Sequence, residues 1–118
     1  MDYADVLKRI EAALAAAQEA LADFTSGRIQ AALKDGGDPV TEADTRLDSI
    51  LKSRLLRSGE GWLSEETKDD WSRLDKSCVW IVDPLDGTRE FIQQIPEWCI
   101  SIAYVVDGCP QAAGICNP

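Results

Sequence analysis

The residues best suited to chemistry stand together in Asp83-Pro84-Leu85-Asp86-Gly87-Thr88, directly after the apolar, β-branched run Cys78-Val79-Trp80-Ile81-Val82. Strand ends that run out into turns are where layered α/β folds put their sites. Carboxylates at Asp83 and Asp86 on a tight turn can aim at one point. Pro84 stiffens the backbone there, and Gly87 permits a conformation that a side chain would block. Clustered carboxylates without lysine or histidine suit a hard cation such as Mg2+, with Glu65 a further oxygen ligand from the preceding strand end and Asp83 able to be shared between two ions. After Gly87 a helix is predicted, so the amides of Gly87 and Thr88 fall at its positive end and can hold a phosphate oxygen. Together these features imply a phosphate-bearing substrate.

What the chain lacks narrows the chemistry further. It contains no histidine, which removes the commonest general base, the Ser-His and Cys-His pairs and imidazole-based zinc sites. Its 21 acidic residues outnumber 12 basic ones, leaving a net charge of -9, so a nucleic-acid backbone is repelled. An anionic substrate would need cations to reverse the local field. Cys78, Cys99, Cys109 and Cys116 have no Cys-x-x-Cys spacing and mostly apolar neighbours; they read as reduced, buried thiols of a cytoplasmic protein. Acidic residues at Asp2, Asp5, Glu11 and Glu19 rule out a signal peptide over the first twenty residues. No uncharged run approaches the ~20 residues of a membrane helix.

The elements that must position these groups follow from periodicity. Tyr3, Val6, Leu7, Ile10, Leu14, Ala17, Leu21 and Phe24 recur at helical steps and predict a long amphipathic helix ending near Thr25-Ser26-Gly27. Breakers make 34–39 a loop. A second helix is announced by Thr41, with Asp44 as the acid of a capping box and a stripe of Leu47, Ile50, Leu51 and Leu55. A short apolar piece, Trp62-Leu63-Ser64, leads into Glu65-Glu66, and a polar surface loop follows. Cys78–Val82 reads as a strand buried on both faces and ending at Asp83-Pro84. A short helix is predicted over 88–95. Strands over 98–106 and 112–116 then flank an Asp107-Gly108 turn. The order predicts one α+β domain, with two N-terminal helices packed on a mainly antiparallel sheet. The four tryptophans read as packing residues, not a base-stacking platform.

The string Asp83-Pro84-Leu85-Asp86-Gly87-Thr88-Arg89-Glu90-Phe91 resembles the signature of the inositol monophosphatase superfamily. Asp38-Pro39-Val40-Thr41-Glu42-Ala43-Asp44, Leu63-Ser64-Glu65-Glu66 and Ala113-Gly114-Ile115-Cys116-Asn117-Pro118 resemble further motifs of that family, in family order. Leu85 and Arg89-Glu90-Phe91 are more similar to its 3'(2'),5'-bisphosphate nucleotidases. The resemblance implies a layered sugar-phosphatase-like fold and a lithium-sensitive phosphomonoesterase with two or three Mg2+ ions. It makes Glu65, Asp83, the Leu85 carbonyl and Asp86 metal ligands, and Gly87 and Thr88 phosphate-binding residues. Thr88, hydrogen-bonded to Asp44, would take the proton of the attacking water, with no covalent enzyme intermediate. The substrate implied is a small phosphorylated metabolite, 3'-phosphoadenosine 5'-phosphate, with inositol 1-phosphate as the alternative. A homodimer of the complete protein is also compatible with the resemblance.

One motif of the family is missing. Its members are considerably longer, and a later helix supplies another metal-ligating aspartate in a Trp-Asp-x-Ala-Ala-Gly pattern. Cys109-Pro110-Gln111-Ala112-Ala113-Gly114 echoes it only superficially, since Pro110 occupies the aspartate position. Residues 1–118 are therefore expected to be an N-terminal domain, inactive alone, with the C-terminal domain absent. The competing expectation is a non-catalytic fragment that acts only by association.

Overall fold

The computed structural model describes residues 3–21, 31–33, 39–93, 95 and 97–117. Helix α1 is Tyr3–Leu21 and helix α2 is Glu42–Leu55. Between them, β1 (Ala31–Leu33) pairs with β2 (Pro39–Thr41) in a small antiparallel ribbon. The predicted end of the first helix near Thr25-Ser26-Gly27, and most of the loop over 34–39, lie outside the described residues.

A four-stranded sheet follows in the order β3 (Gly61–Ser64), β4 (Cys78–Asp86), β5 (Cys99–Val106), β6 (Cys109–Cys116). β3 runs parallel to β4, and the other two pairings are antiparallel. The parallel pair requires a crossover, and 65–77 supplies it, with one 3-10 turn over Ser72–Asp75. A single helical turn, α3 (Thr88–Ile92), joins β4 to β5. At the hairpin between β5 and β6, Asp107 and Gly108 both take positive φ, as a tight turn with right-handed twist demands. The architecture is α+β, helices on a mixed sheet. Among the described residues no helix is long and apolar enough to cross a membrane.

The helices lie on one face of the sheet. Val6, Ile10, Ala13 and Ala17 of α1 and Leu47, Leu51 and Leu55 of α2 are buried with Trp80, Val82, Ile100, Ile102 and Tyr104 of the strands. Truncating one of these leucines to alanine should cost roughly 2–5 kcal/mol. At one edge of this core the half-buried Arg9–Glu60 ion pair (3.1 Å) also receives the Trp80 indole N–H on Glu60 at 3.1 Å.

Two expectations need correction here. β4 is not buried on both faces: Trp80 and Val82 face the helices, while Ile81, on the opposite side, remains 42% exposed. The cysteines are unpaired, but none is fully buried, and Cys109, which opens β6 after the turn, is exposed.

Candidate active site

β4 does not stop before Asp83-Pro84 but continues through it to Asp86, by way of a bulge. Asp83 pairs with Ser101 and Asp86 with Cys99, so Pro84 and Leu85 together oppose the single residue Ile100. Proline, lacking an N–H, is tolerated at such an irregularity. In a regular strand, residues 83 and 86 would point to opposite faces. Because their partners Ser101 and Cys99 share a face, the extra residue turns Asp83 and Asp86 to the same side of the sheet. β3 brings Glu65 to the same level, since Ser64 pairs with Val82.

The three carboxylates interact. Glu65 is within hydrogen-bonding reach of the Asp83 carboxyl, which is pushed up to about 6, first by burial and then by the charges of Glu65 and Asp86, against the opposing effect of the Leu85 amide. That amide donates to Asp83 Oδ1 at 3.3 Å. The exposed Asp86 accepts a weak thiol contact from Cys99 at 3.9 Å, and burial followed by the Asp86 charge raises the Cys99 thiol. Crowded oxygen donors whose charges oppose one another fit a hard divalent cation. Among the described residues, however, no group of acidic, thiol or imidazole side chains forms a ready-made set of three ligands. The structure offers a Glu65–Asp83 pair with Asp86 beside it, not a closed cage.

Behind the carboxylates, the Thr88 hydroxyl lies 2.8 Å from Oδ1 of Asp44 and 3.2 Å from the Leu85 carbonyl. Asp44 is fully buried on α2. A threonine that donates its proton to a buried carboxylate turns its lone pairs outward, where they can accept a proton from water. Gly87 adopts φ 95, and a Cβ there would stand 2.9 Å from the Glu97 carbonyl oxygen; both the backbone conformation and the close approach require glycine. The helix after it is shorter than the predicted 88–95. It ends at Ile92, because Ile95 precedes Pro96 and its amide closes instead on the Glu90 carbonyl at 2.8 Å. With so short a helix, anion binding at Gly87 and Thr88 would rest on individual amides more than on a helix dipole.

A cleft of about 360 Å3 opens beside Asp86 and Gly87, lined also by Glu90, Glu97, Trp98, Cys99 and Asn117. Its acidic rim would repel a phosphate unless cations intervened.

Sequence reasoning did not single out Asp48 and Thr67. The Thr67 hydroxyl donates to Asp48 Oδ2 and accepts the Trp62 indole N–H at 3.3 Å. The available signal was a carboxylate at position 48 within the apolar stripe of α2, one turn after Asp44.

Comparison with known proteins extends these observations. A model of the inositol monophosphatase family matches residues 2–118. The inositol-1-monophosphatase of Mesorhizobium japonicum is 38% identical over 112 residues, covering 92% of this chain and 42% of that protein. The 3'-phosphoadenosine 5'-phosphate phosphatase of Mycobacterium leprae is 47% identical over 75 residues, covering 61% of this chain and 26% of that protein. In structure, the extragenic suppressor protein suhB from Bartonella henselae matches with a TM-score of 0.85 at 32% identity, over 97% of this chain and 45% of that one. The chain thus spans less than half the length of each of these relatives.

Proposed function

The chain belongs to the inositol monophosphatase family, and from that membership we propose that residues 1–118 are the N-terminal domain of a cytoplasmic, Mg2+-dependent phosphomonoesterase acting on a small phosphorylated metabolite. The observation that carries this reading is the hydrogen bond from Thr88 to the buried Asp44, just past the end of the strand whose bulge turns Asp83 and Asp86 to one face.

In this mechanism Glu65, Asp83, Asp86 and the Leu85 carbonyl would hold the cations, two or three in the complete protein. When bound, these would polarise the phosphoryl oxygens and offset charge on the leaving oxygen. The attacking water gives a proton to Thr88 Oγ1 as Thr88 passes its own to Asp44; its oxygen bonds to phosphorus as the ester P–O bond breaks, and the departing alkoxide takes a proton from solvent. The amides of Gly87 and Thr88 orient the phosphate for in-line displacement. Burial keeps Asp44 away from bulk water, so the relay is fixed before substrate arrives.

For substrate we favour 3'-phosphoadenosine 5'-phosphate over inositol 1-phosphate, on Leu85 and Arg89-Glu90-Phe91. Glu90 lines the cleft, whereas the Leu85 side chain is buried and can influence substrate choice only by shaping the bulge. The Mycobacterium leprae relative supports the nucleotide; the wider coverage of the Mesorhizobium japonicum relative supports the inositol ester. The test is phosphate release from both substrates by the protein extended to its natural stop codon, with Mg2+, with excess chelator, and with added lithium. Release that needs Mg2+ and falls with lithium is expected. Full activity in chelator would remove the metal from the mechanism, and a higher kcat/KM on the inositol ester would reverse the substrate preference alone.

A further inference from the structure

Helix α2 turns Ala43, Leu47, Leu51 and Leu55 inward at 0% exposure, and two carboxylates interrupt that apolar face: Asp44 at 0% and Asp48 at 8%. Residues four apart lie one above the other on a helix. Each of these carboxylates takes a threonine hydroxyl, Asp44 from Thr88 and Asp48 from Thr67. The two threonines occupy equivalent places in the two segments that supply the site's carboxylates, Thr88 shortly after Asp86 and Thr67 shortly after Glu65. One helix therefore grips both segments through the same kind of bond.

The turn after β3 is closed on itself by the Thr67 amide on the Ser64 carbonyl and the Glu66 amide on the Ser64 hydroxyl, each at 3.3 Å. Asp48 ties that closed turn to α2. The tie is costly, because Oδ1 of Asp48 is buried with no partner among the described residues. For packing alone an apolar residue would serve better, as at the neighbouring Leu47 and Leu51. The return on that cost lies in where the turn is held.

We propose that Asp48 is a positioning residue for Glu65: through the Thr67 hydroxyl it fixes the turn that carries Glu65 and thereby sets the site's affinity for a divalent cation. The proposal rests on the reading of Glu65 as a metal ligand. Groups that orient ligands from behind typically change metal affinity by about 10–100-fold when removed.

Two readouts on the protein extended to its natural stop codon test it: amide hydrogen exchange at Glu66 and Thr67 without metal, and calorimetric titration with Mg2+ alone. Asp48→Ala should speed exchange at those amides and weaken Mg2+ binding by about tenfold or more. Asp48→Asn keeps an acceptor for Thr67 and should restore most of both. Leu55→Ala, a core deletion at the far end of α2, should lower the melting temperature and leave both readouts unchanged. Thr67→Val should act like Asp48→Ala, add little to it in the double variant, and replace it if that variant does not fold. Unchanged exchange in both Asp48→Ala and Thr67→Val would overturn the positioning role while leaving the metal reading intact. A wild-type chain that takes up no Mg2+, with exchange still governed by Asp48, would instead overturn Glu65 as a ligand and the cation half of the proposal with it.

Discussion

Half-buried Asp83 sits between like charges and is pushed up to about 6, by burial first and by Glu65 and Asp86 next. An unfolded aspartate titrates at about 3.9. With the folded value raised, the group's contribution to stability is fully present below about 4 and is lost as pH rises through about 6. In chelator, the melting temperature should therefore fall between about pH 4.5 and pH 7.5, and Asp83→Asn should flatten that fall and be the more stable protein at the upper end. Saturating Mg2+ should reverse the order at the upper pH and do little for Asp83→Asn, since a protonated or amidated Asp83 is a poor ligand. If Asp83→Asn melts below wild type in chelator at the upper pH, the repulsion is not there. The relay makes a separate prediction for the extended, active protein. Thr88→Ala or Asp44→Asn should lower turnover by on the order of 10²–10⁴-fold with a retained fold, and Thr88→Ser, which keeps the hydroxyl, should recover most of it. Variants that melt like wild type and keep more than about half its rate would exclude Thr88 and Asp44 as the proton path. Asp83, Asp86, Gly87 and Thr88 were legible in the sequence because they fall within one stretch of six residues. Asp48 was not, because its partner Thr67 comes from a different element and no local spacing connects them.

At the scale of elements, the bulge in β4 decides which way the carboxylates point, and its cause is a proline inside the strand, a residue that by sequence pattern alone marks the strand's end. Pro84 does end regular pairing, yet the ladder resumes at Asp86. The helices were legible from their apolar stripes, β5 from its β-branched residues Ile100, Ile102, Val105 and Val106, and β6 from the Asp107-Gly108 turn before it. Hidden from such reasoning were the β1–β2 ribbon, whose Ala31–Leu33 strand has weak β preference, and the parallel pairing of β3 with β4, which is a long-range choice. Another long-range choice is the seating of α1 on β6. A Cβ at Gly114 would lie 2.5 Å from Ile10 Cγ2 and 3.2 Å from Leu14 Cδ1. Ile10 is 2% exposed and stiff at χ1, so it cannot swing aside. Gly114→Ala should thus cost about 1–3 kcal/mol in urea unfolding. Adding Ile10→Ala, which removes the clashing methyl, should give a double variant less destabilised than the sum of the singles. Strict additivity would mean that helix and strand do not meet as described.

For the whole molecule, the asymmetry of the sheet is the controlling fact. Helices cover one face, and the other carries Ile81 at 42% exposure and Ile115 at 72%. Ile81 pairs with Ala103 and Ala103 with Ala113, while Asp83 pairs with Ser101 and Ser101 with Ile115. Cross-strand partners share a face, so the proposed metal site borders an apolar surface. Contiguous apolar surface of this kind drives association. The chain also spans only 42% of the Mesorhizobium japonicum relative, and the described residues hold no ready-made set of three acidic, thiol or imidazole ligands. Mg2+ demands near-octahedral oxygen coordination, so Glu65, Asp83, Asp86 and one carbonyl would bind it weakly and hold a second ion poorly. Residues 1–118 alone are accordingly predicted to self-associate reversibly and to turn over nothing, with the extended protein active. Sedimentation at several concentrations should detect the association, and Ile115→Lys, which puts a charge on the open face without touching the core, should reduce it. Phosphate release from the short and extended proteins at matched concentration and saturating Mg2+ supplies the other half of the test. Comparable turnover from the short chain would mean that its own carboxylates complete the site. A strictly monomeric short chain would mean that the Ile81 and Ile115 surface is too small or too broken by Asp83 and Ser101 to act as an interface.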